Sequence, residues 1–157
     1  MQHVLVPLDT SKLAERALSA AREIVKPGGT ITLIQVVEPA QPERYIEPHY
    51  ADQFLRSEYG RADATTLHHS RIDRAAAYLR GIIASPQMQG YEVKLFTASG
   101  DPADIILETA AKIGVDAIVM STHGRSGLSK LVYGSVTQKV LSSAACPVLV
   151  VPMKAAA

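Results

Sequence analysis

Five short apolar runs alternate with helical segments along the chain, and this alternation constrains the fold more than any other feature. The runs are Val4–Val6, Ile31–Val37, Tyr91–Thr97, Ala117–Met120 and Val148–Val151. Most are β-branched and unbroken by charge, as expected for strands buried on both faces, whereas Tyr91–Thr97 alternates like a strand near an edge. Strands that alternate with helices form a parallel sheet covered on both faces. The sequence therefore predicts an α/β fold with an open, five-stranded, mostly parallel sheet and helices on both faces.

Capping signals delimit the helices between these strands. Thr10 or Ser11 is predicted to cap a first helix that ends at Pro27-Gly28-Gly29. The segment from Arg61 to Ala84 has a helical composition, Asp101-Pro102 starts a helix that ends at Gly114, and Gly134-Ser135 opens a last helix to about Ala145.

The organisation along the chain is that of one unit. Residues 38 to 60 contain three prolines and are expected to form an irregular loop, with room for a short helix around Tyr50 to Tyr59. No repeat or long linker divides the 157 residues, so a single domain over 1–157 is expected.

Charge and cysteine content exclude several function classes. The formal net charge is +1, which leaves no electrostatic footprint for nucleic acid as the main partner. The single cysteine, Cys146, forbids an internal disulfide and suits a reducing compartment. No apolar run approaches a membrane span, and the first residues carry no export signal. The expectation is a cytoplasmic protein without nucleic acid or membrane as partner.

The candidate ligand site follows the fourth strand. In open α/β sheets the ligand binds at the carboxyl ends of the strands, where strand order reverses. Neither a Gly-x-Gly-x-x-Gly after the first strand nor a P-loop motif occurs. Gly124 and Gly127 lie instead in the loop before Gly134-Ser135, which opens a helix whose N–H groups and dipole attract an anion. The glycines bring further N–H groups near it, and Arg125 or Lys130 adds charge. The alternative is a plain loop with Ser135 as an ordinary cap.

With these residues in place, the chain resembles the universal stress protein family along nearly its whole length. The family's ATP-binding pattern is Gly, two residues, Gly, nine residues, then Gly-Ser or Gly-Thr. The chain has Gly124, nine intervening residues and Gly134-Ser135, with a similar opening at Val4–Asp9 and a similar ending at Pro147–Pro152. The resemblance implies a Rossmann-like fold of the adenine nucleotide alpha hydrolase type that binds ATP, with or without Mg²⁺.

The resemblance also implies a role for each matching residue. Pro7 and Asp9 would border the nucleoside, and the backbone of Val36 would read the adenine edge. Met120 and Ser121 would lie along the ribose. The phosphates would be held by Gly124, Gly134, Ser135 and Val136. From the residues alone, Asp9 is equally a turn or capping residue.

Ser121 stands where the family pattern has its first glycine. Its Cβ adds bulk close to where the family places the ribose. Ser121→Gly is therefore expected to tighten ATP binding if the side chain crowds the sugar, whereas weaker binding would identify the hydroxyl as a ligand contact.

Three functions remain in competition at this point. The first is an ATP-binding stress-response or signalling module, dimeric through Val148–Val151, with an unknown protein partner. The second is an enzyme on the same scaffold, with slow ATP hydrolysis or adenylyl transfer. The third is a phospho-acceptor receiver domain, which is disfavoured because the third strand ends Phe96-Thr97-Ala98-Ser99 without an aspartate. No catalytic set or metal cluster stands out, so a binding module without catalytic residues is predicted.

Overall fold

The computed structural model describes residues 1–38, 58–122 and 134–152, which contain five strands and four α-helices. The strands are β1 His3–Pro7, β2 Thr30–Val37, β3 Glu92–Ser99, β4 Ala117–Ser121 and β5 Val148–Val151. The helices are α1 Arg16–Ile24, α2 Glu58–Ile83, α3 Pro102–Ile113 and α4 Ser135–Ser143, with a 3₁₀ turn at Pro86–Met88 before β3.

The strands form one sheet in the order β3-β2-β1-β4-β5, and every neighbouring pair is parallel. The predicted five-stranded α/β fold with helices on both faces is confirmed. Because the chain adds β2 and β3 on one side of β1 and then β4 and β5 on the other, strand order reverses between β1 and β4. Because ligands of open α/β sheets bind where strand order reverses, a ligand site is expected at the carboxyl ends of these two strands.

Two apolar cores lie on opposite faces of the sheet. On one face α1 and α2 cover side chains such as Val6, Leu33 and Val119, and on the other α3 and α4 cover Leu5 and Ile118. Successive side chains of each buried strand point alternately into one core and the other, as expected for a parallel sheet covered by helices on both faces.

The predicted start and end of α3 are confirmed. The Asp101 carboxylate accepts a hydrogen bond from the Asp104 N–H at 3.0 Å, and Pro102 occupies the first helical position. The helix ends at Gly114, whose φ of 64° is the left-handed conformation that glycine adopts at low cost.

The predicted start of α1 is wrong by about one turn. Ser11 does act as a cap, since its Oγ accepts the Ala14 N–H at 3.0 Å. It closes a series of turns, however, and regular helix begins only at Arg16. Two smaller corrections are that α2 begins at Glu58, inside the predicted 38–60 loop, and that α4 ends at Ser143. The rest of the predicted 38–60 loop, including most of its short helix, lies outside the described residues.

Candidate functional site

Pro7 prevents β1 from pairing further with β4 and so leaves a gap between these two strands of the sheet. β1 pairs with β2 as far as Pro7 and Ile34, but its pairing with β4 ends at Leu5 and Ile118, although β4 continues to Ser121. Proline has no N–H, so it cannot donate the next bond of a ladder. The gap lies where strand order reverses.

A cleft of about 240 Å³ occupies this gap. Its walls come from the ends of β1, β2 and β4, from the loop before α1, and from the first turns of α3 and α4. The lining residues are Pro7, Leu8, Asp9, Ala14, Ile34, Val36, Pro102, Ile106, Met120, Ser121, Val136 and Thr137. Most are apolar, with polar side chains only at Asp9, Ser121 and Thr137. A mostly apolar cleft with a few placed polar groups is the usual form of a small-molecule site.

Most residues predicted from the sequence lie in or beside this cleft. Pro7, Asp9, Val36, Met120, Ser121 and Val136 line it. Gly134 and Ser135 immediately precede Val136 at the start of α4. Gly124 and Arg125 lie outside the described residues. The lining residues not singled out from the sequence are Leu8, Ala14, Ile34, Pro102, Ile106 and Thr137.

The backbone of Val36 presents a donor and an acceptor toward the gap. The Leu8 N–H donates to the Ile34 carbonyl at 2.8 Å, so even-numbered residues of β2 direct their backbone groups toward β1. The Val37 carbonyl accepts from Gly100 on the β3 side, consistent with this alternation. Within the described residues, the N–H and C=O of Val36 have no strand partner on the β1 side, because pairing there ends at Ile34. They can read the polar edge of a planar ligand.

The first turn of α4 presents N–H groups at the other side of the cleft. The first bond within the helix runs from the Gln138 N–H to the Gly134 carbonyl at 2.9 Å, so the N–H groups of residues 135–137 make none within it. Gly134 is the N-cap and provides no side-chain cap, and the first turn contains no acidic residue. Such a helix start favours an anion.

Of the two roles predicted for Asp9, contact with a nucleoside or stabilisation of a turn, the structure shows the turn. Its Oδ1 accepts from the Ser11 N–H at 3.0 Å and from the Ser11 hydroxyl at 2.6 Å. Between them Thr10 has a φ of 68°, a region that β-branched residues rarely adopt. Unusual backbone of this kind recurs at ligand sites.

The half-buried phenol of Tyr78 anchors this loop to α2. The Tyr78 hydroxyl donates to the Glu15 carboxylate at 3.2 Å, and Glu15 also pairs with Lys12 at 2.9 Å. Burial first, and then the Glu15 carboxylate, raises the pKa of Tyr78 far above its ordinary 10.0, so the phenol remains a hydrogen-bond donor. The loop wall of the cleft is thus fixed to the helix behind it.

Two contacts hold the α3 and α4 walls of the cleft in place. The buried Thr137 hydroxyl donates to the Ser121 carbonyl at 3.5 Å, which ties α4 to the end of β4. Lys139 of α4 pairs with Asp104 of α3 at 2.7 Å and with Asp101, the N-cap of that helix, at 3.3 Å. The hydrogen bond to Asp104 is the main cause that raises the pKa of Lys139. Thr137 is recognisable in hindsight from its place in the first turn of the last helix.

The described residues hold no second candidate centre. No group of three or more His, Cys, Asp or Glu side chains that could hold a metal ion occurs among the described residues. Cys146 is partly buried and packs against the α3–α4 core. No helix in the described part of the chain is long and apolar enough to cross a membrane.

Comparison with known proteins gives a consistent family assignment. The model of the universal stress protein family matches residues 1–152. A universal stress protein of Thermus aquaticus is 31% identical over 149 residues, which cover 94% of this chain and 96% of that protein.

Solved structures show the same similarity. The protein MJ0577 of Methanocaldococcus jannaschii has a TM-score of 0.75 and 28% identity, with 99% of this chain and 98% of that chain covered. A universal stress protein solved in complex with cAMP has a TM-score of 0.55 at 23% identity, covering 96% and 95% of the two chains, a likeness that shows the fold alone.

Proposed function

The chain belongs to the universal stress protein family, and from this premise we propose that it binds an adenine nucleotide, with ATP as the ligand. In this proposal it is a cytoplasmic, nucleotide-dependent stress-response module with little or no turnover. The observation that carries the proposal is the combination of an apolar cleft, a backbone donor–acceptor pair at Val36 and an anion-attracting helix start, all at the strand-order reversal.

The base is assigned to the β2 side of the cleft. Adenine offers an N6 amino donor beside the N1 acceptor, which matches the C=O and N–H of Val36. Its flat apolar faces suit the aliphatic walls formed by Ile34, Met120 and Leu8. Guanine has an O6 acceptor and an N1–H donor at the same edge, so it would place acceptor against acceptor at one of the two bonds and donor against donor at the other.

The phosphates are assigned to the first turn of α4. The N–H groups of residues 135–137 and the Ser135 hydroxyl supply donors, and the helix dipole adds a favourable field. Gly124 and Arg125, which precede this helix in the sequence, are proposed to contact the phosphates as well.

Calorimetric titration tests the function directly. The protein should bind ATP saturably and bind GTP at least about tenfold more weakly, the cost of about one misplaced hydrogen bond. Mass spectrometry of the denatured, purified protein should detect adenine nucleotide that co-purified. Absence of ATP binding, or equal affinity for GTP, would contradict the proposed adenine site.

The same family membership and the outer edge of β5 support a homodimer through Val148–Val151. The Ile118 N–H donates to Pro147 and the Thr122 N–H to Val151, so odd-numbered residues of β5 face β4 and the N–H of Val150 points outward. The opposite edge strand, β3, carries the charged pair Glu92–Lys94, which protects an edge. β5 has no charge, and its Leu149 is 39% exposed. A second copy would satisfy this edge by two-fold pairing.

A further inference from the structure

We propose that Ser121 makes the site specific for ribose, through a hydrogen bond between its hydroxyl and a hydroxyl of the nucleotide sugar. The inference rests on the proposed nucleotide function and adds a residue that reads the sugar.

The polar groups of the cleft wall single out this hydroxyl. Of the three polar side chains, Asp9 already accepts two hydrogen bonds from Ser11, and the Thr137 hydroxyl donates to the Ser121 carbonyl. The Ser121 hydroxyl makes no hydrogen bond within the described residues. Ser121 is only 6% exposed, and it lines the cleft. A ligand that excludes water there leaves the hydroxyl unsatisfied unless the ligand itself supplies a partner.

The position of Ser121 along the sheet edge matches the sugar rather than the base or the phosphates. The strand order places the Val36 backbone on one side of the gap and the end of β4 on the other. Thr137 joins the end of β4 to the first turn of α4. A nucleotide with its base at Val36 and its phosphates at α4 therefore has its sugar beside Ser121.

The backbone holds this hydroxyl in a defined place. Ser121 pairs with Val151 in register, and the neighbouring Thr122 N–H donates to the Val151 carbonyl at 3.1 Å. The Ser121 carbonyl accepts from Thr137 on the other side. Strand alternation directs the Ser121 side chain to the α1 face, with Val119, while Met120 packs toward α3 and α4. A side chain on a strand fixed on both sides discriminates between sugars better than one on a loop.

The test compares ATP with its 2′-deoxy and 3′-deoxy analogues by calorimetry. The unmodified protein should prefer ATP over at least one analogue by about three- to tenfold, the range for one neutral hydrogen bond. Ser121→Ala keeps the Cβ and removes only the oxygen, so it should bind ATP and that analogue equally. Ser19→Ala, on the exposed face of α1, is the matched control and should retain the preference.

Three outcomes overturn the inference while leaving ATP binding intact. They are no preference in the unmodified protein, a preference that survives in a folded Ser121→Ala variant, and tighter ATP binding by Ser121→Gly, which would indicate crowding. Thermal unfolding of Ser121→Ala checks that the variant folds. Its Tm should stay close to that of the unmodified protein, because the hydrogen bond from Thr137 goes to the backbone carbonyl of residue 121, which the substitution retains. Failure of the unmodified protein to bind ATP at all refutes instead the function on which the inference rests.

Discussion

Replacement of Gly134 by aspartate tests the phosphate site without disturbing the fold. Gly134 is the N-cap of α4, and its φ of −61° and ψ of 157° are accessible to any residue. Aspartate and asparagine are among the preferred N-caps, because their side-chain oxygen accepts an N–H of the first turn. The free energy of unfolding should therefore stay the same or rise by a few tenths of a kcal/mol.

The same substitution should abolish ATP binding. The new carboxylate competes for the N–H groups of residues 135–137, and each donor lost to a charged phosphate costs about 1.5–3 kcal/mol. Loss of two donors corresponds to about 3–6 kcal/mol, or about 10²–10⁴-fold in affinity. Repulsion between the carboxylate and the phosphate adds up to about 4 kcal/mol for unit charges at about 4 Å near a surface.

Calorimetric titration of ATP against Gly134→Asp and Gly134→Asn separates the two contributions. Both variants compete for the same N–H groups, but only aspartate adds charge, so the asparagine variant should retain the larger affinity. Chemical denaturation of both variants provides the folding control. If a folded Gly134→Asp variant bound ATP with unchanged affinity, the assignment of the phosphates to the start of α4, and with it the proposed site, would be refuted.

Four further outcomes are expected. Val150→Pro removes an outward-facing N–H and leaves the bonds from β5 to β4 intact, so sedimentation should show a folded monomer where the unmodified protein is a dimer; a monomeric unmodified protein would refute the interface. Phosphate release from ATP should be slower than about 1 per second, and rates in the kinase range would make the protein an enzyme. Burial, and then the charge of Lys94, lowers the pKa of His3 below its ordinary 6.5, so the unfolded state binds the proton at higher pH than the folded state does. The free energy of unfolding should therefore fall as pH drops below 6.5, and denaturant titrations on either side of pH 6.5 should show a smaller fall for His3→Gln. Gly29→Ala would place a Cβ 2.8 Å from a backbone oxygen and should destabilise by about 1–3 kcal/mol, whereas Gly81→Ala meets nothing within 4 Å and should stabilise by about 0.5–1 kcal/mol in the same unfolding assay.

The parts of this protein that could be predicted from sequence are those governed by local interactions. The five strands follow from short β-branched runs, and the bounds of α3 follow from the cap at Asp101 and the left-handed glycine at Gly114. The start of α4 at Gly134-Ser135 follows from the same type of signal. The start of α1 was missed because Ser11 donates locally to Asp9 and accepts from the Ala14 N–H, and such local bonds favour turns over helix.

The amino-acid sequence by itself determined the α/β class, the approximate helix and strand positions, and the glycine-containing helix start that identifies the family. Only the tertiary structure decided which residues share the cleft. Ile34, Ile106 and Thr137 are far apart in the chain and meet because the strand order reverses between β1 and β4. Only the structure showed that the Ser121 hydroxyl makes no hydrogen bond among the described residues, while Asp9 and Thr137 of the same cleft do. The physical reason is range: caps and strand propensity act within a few residues, whereas strand order and side-chain pairing depend on packing between distant segments.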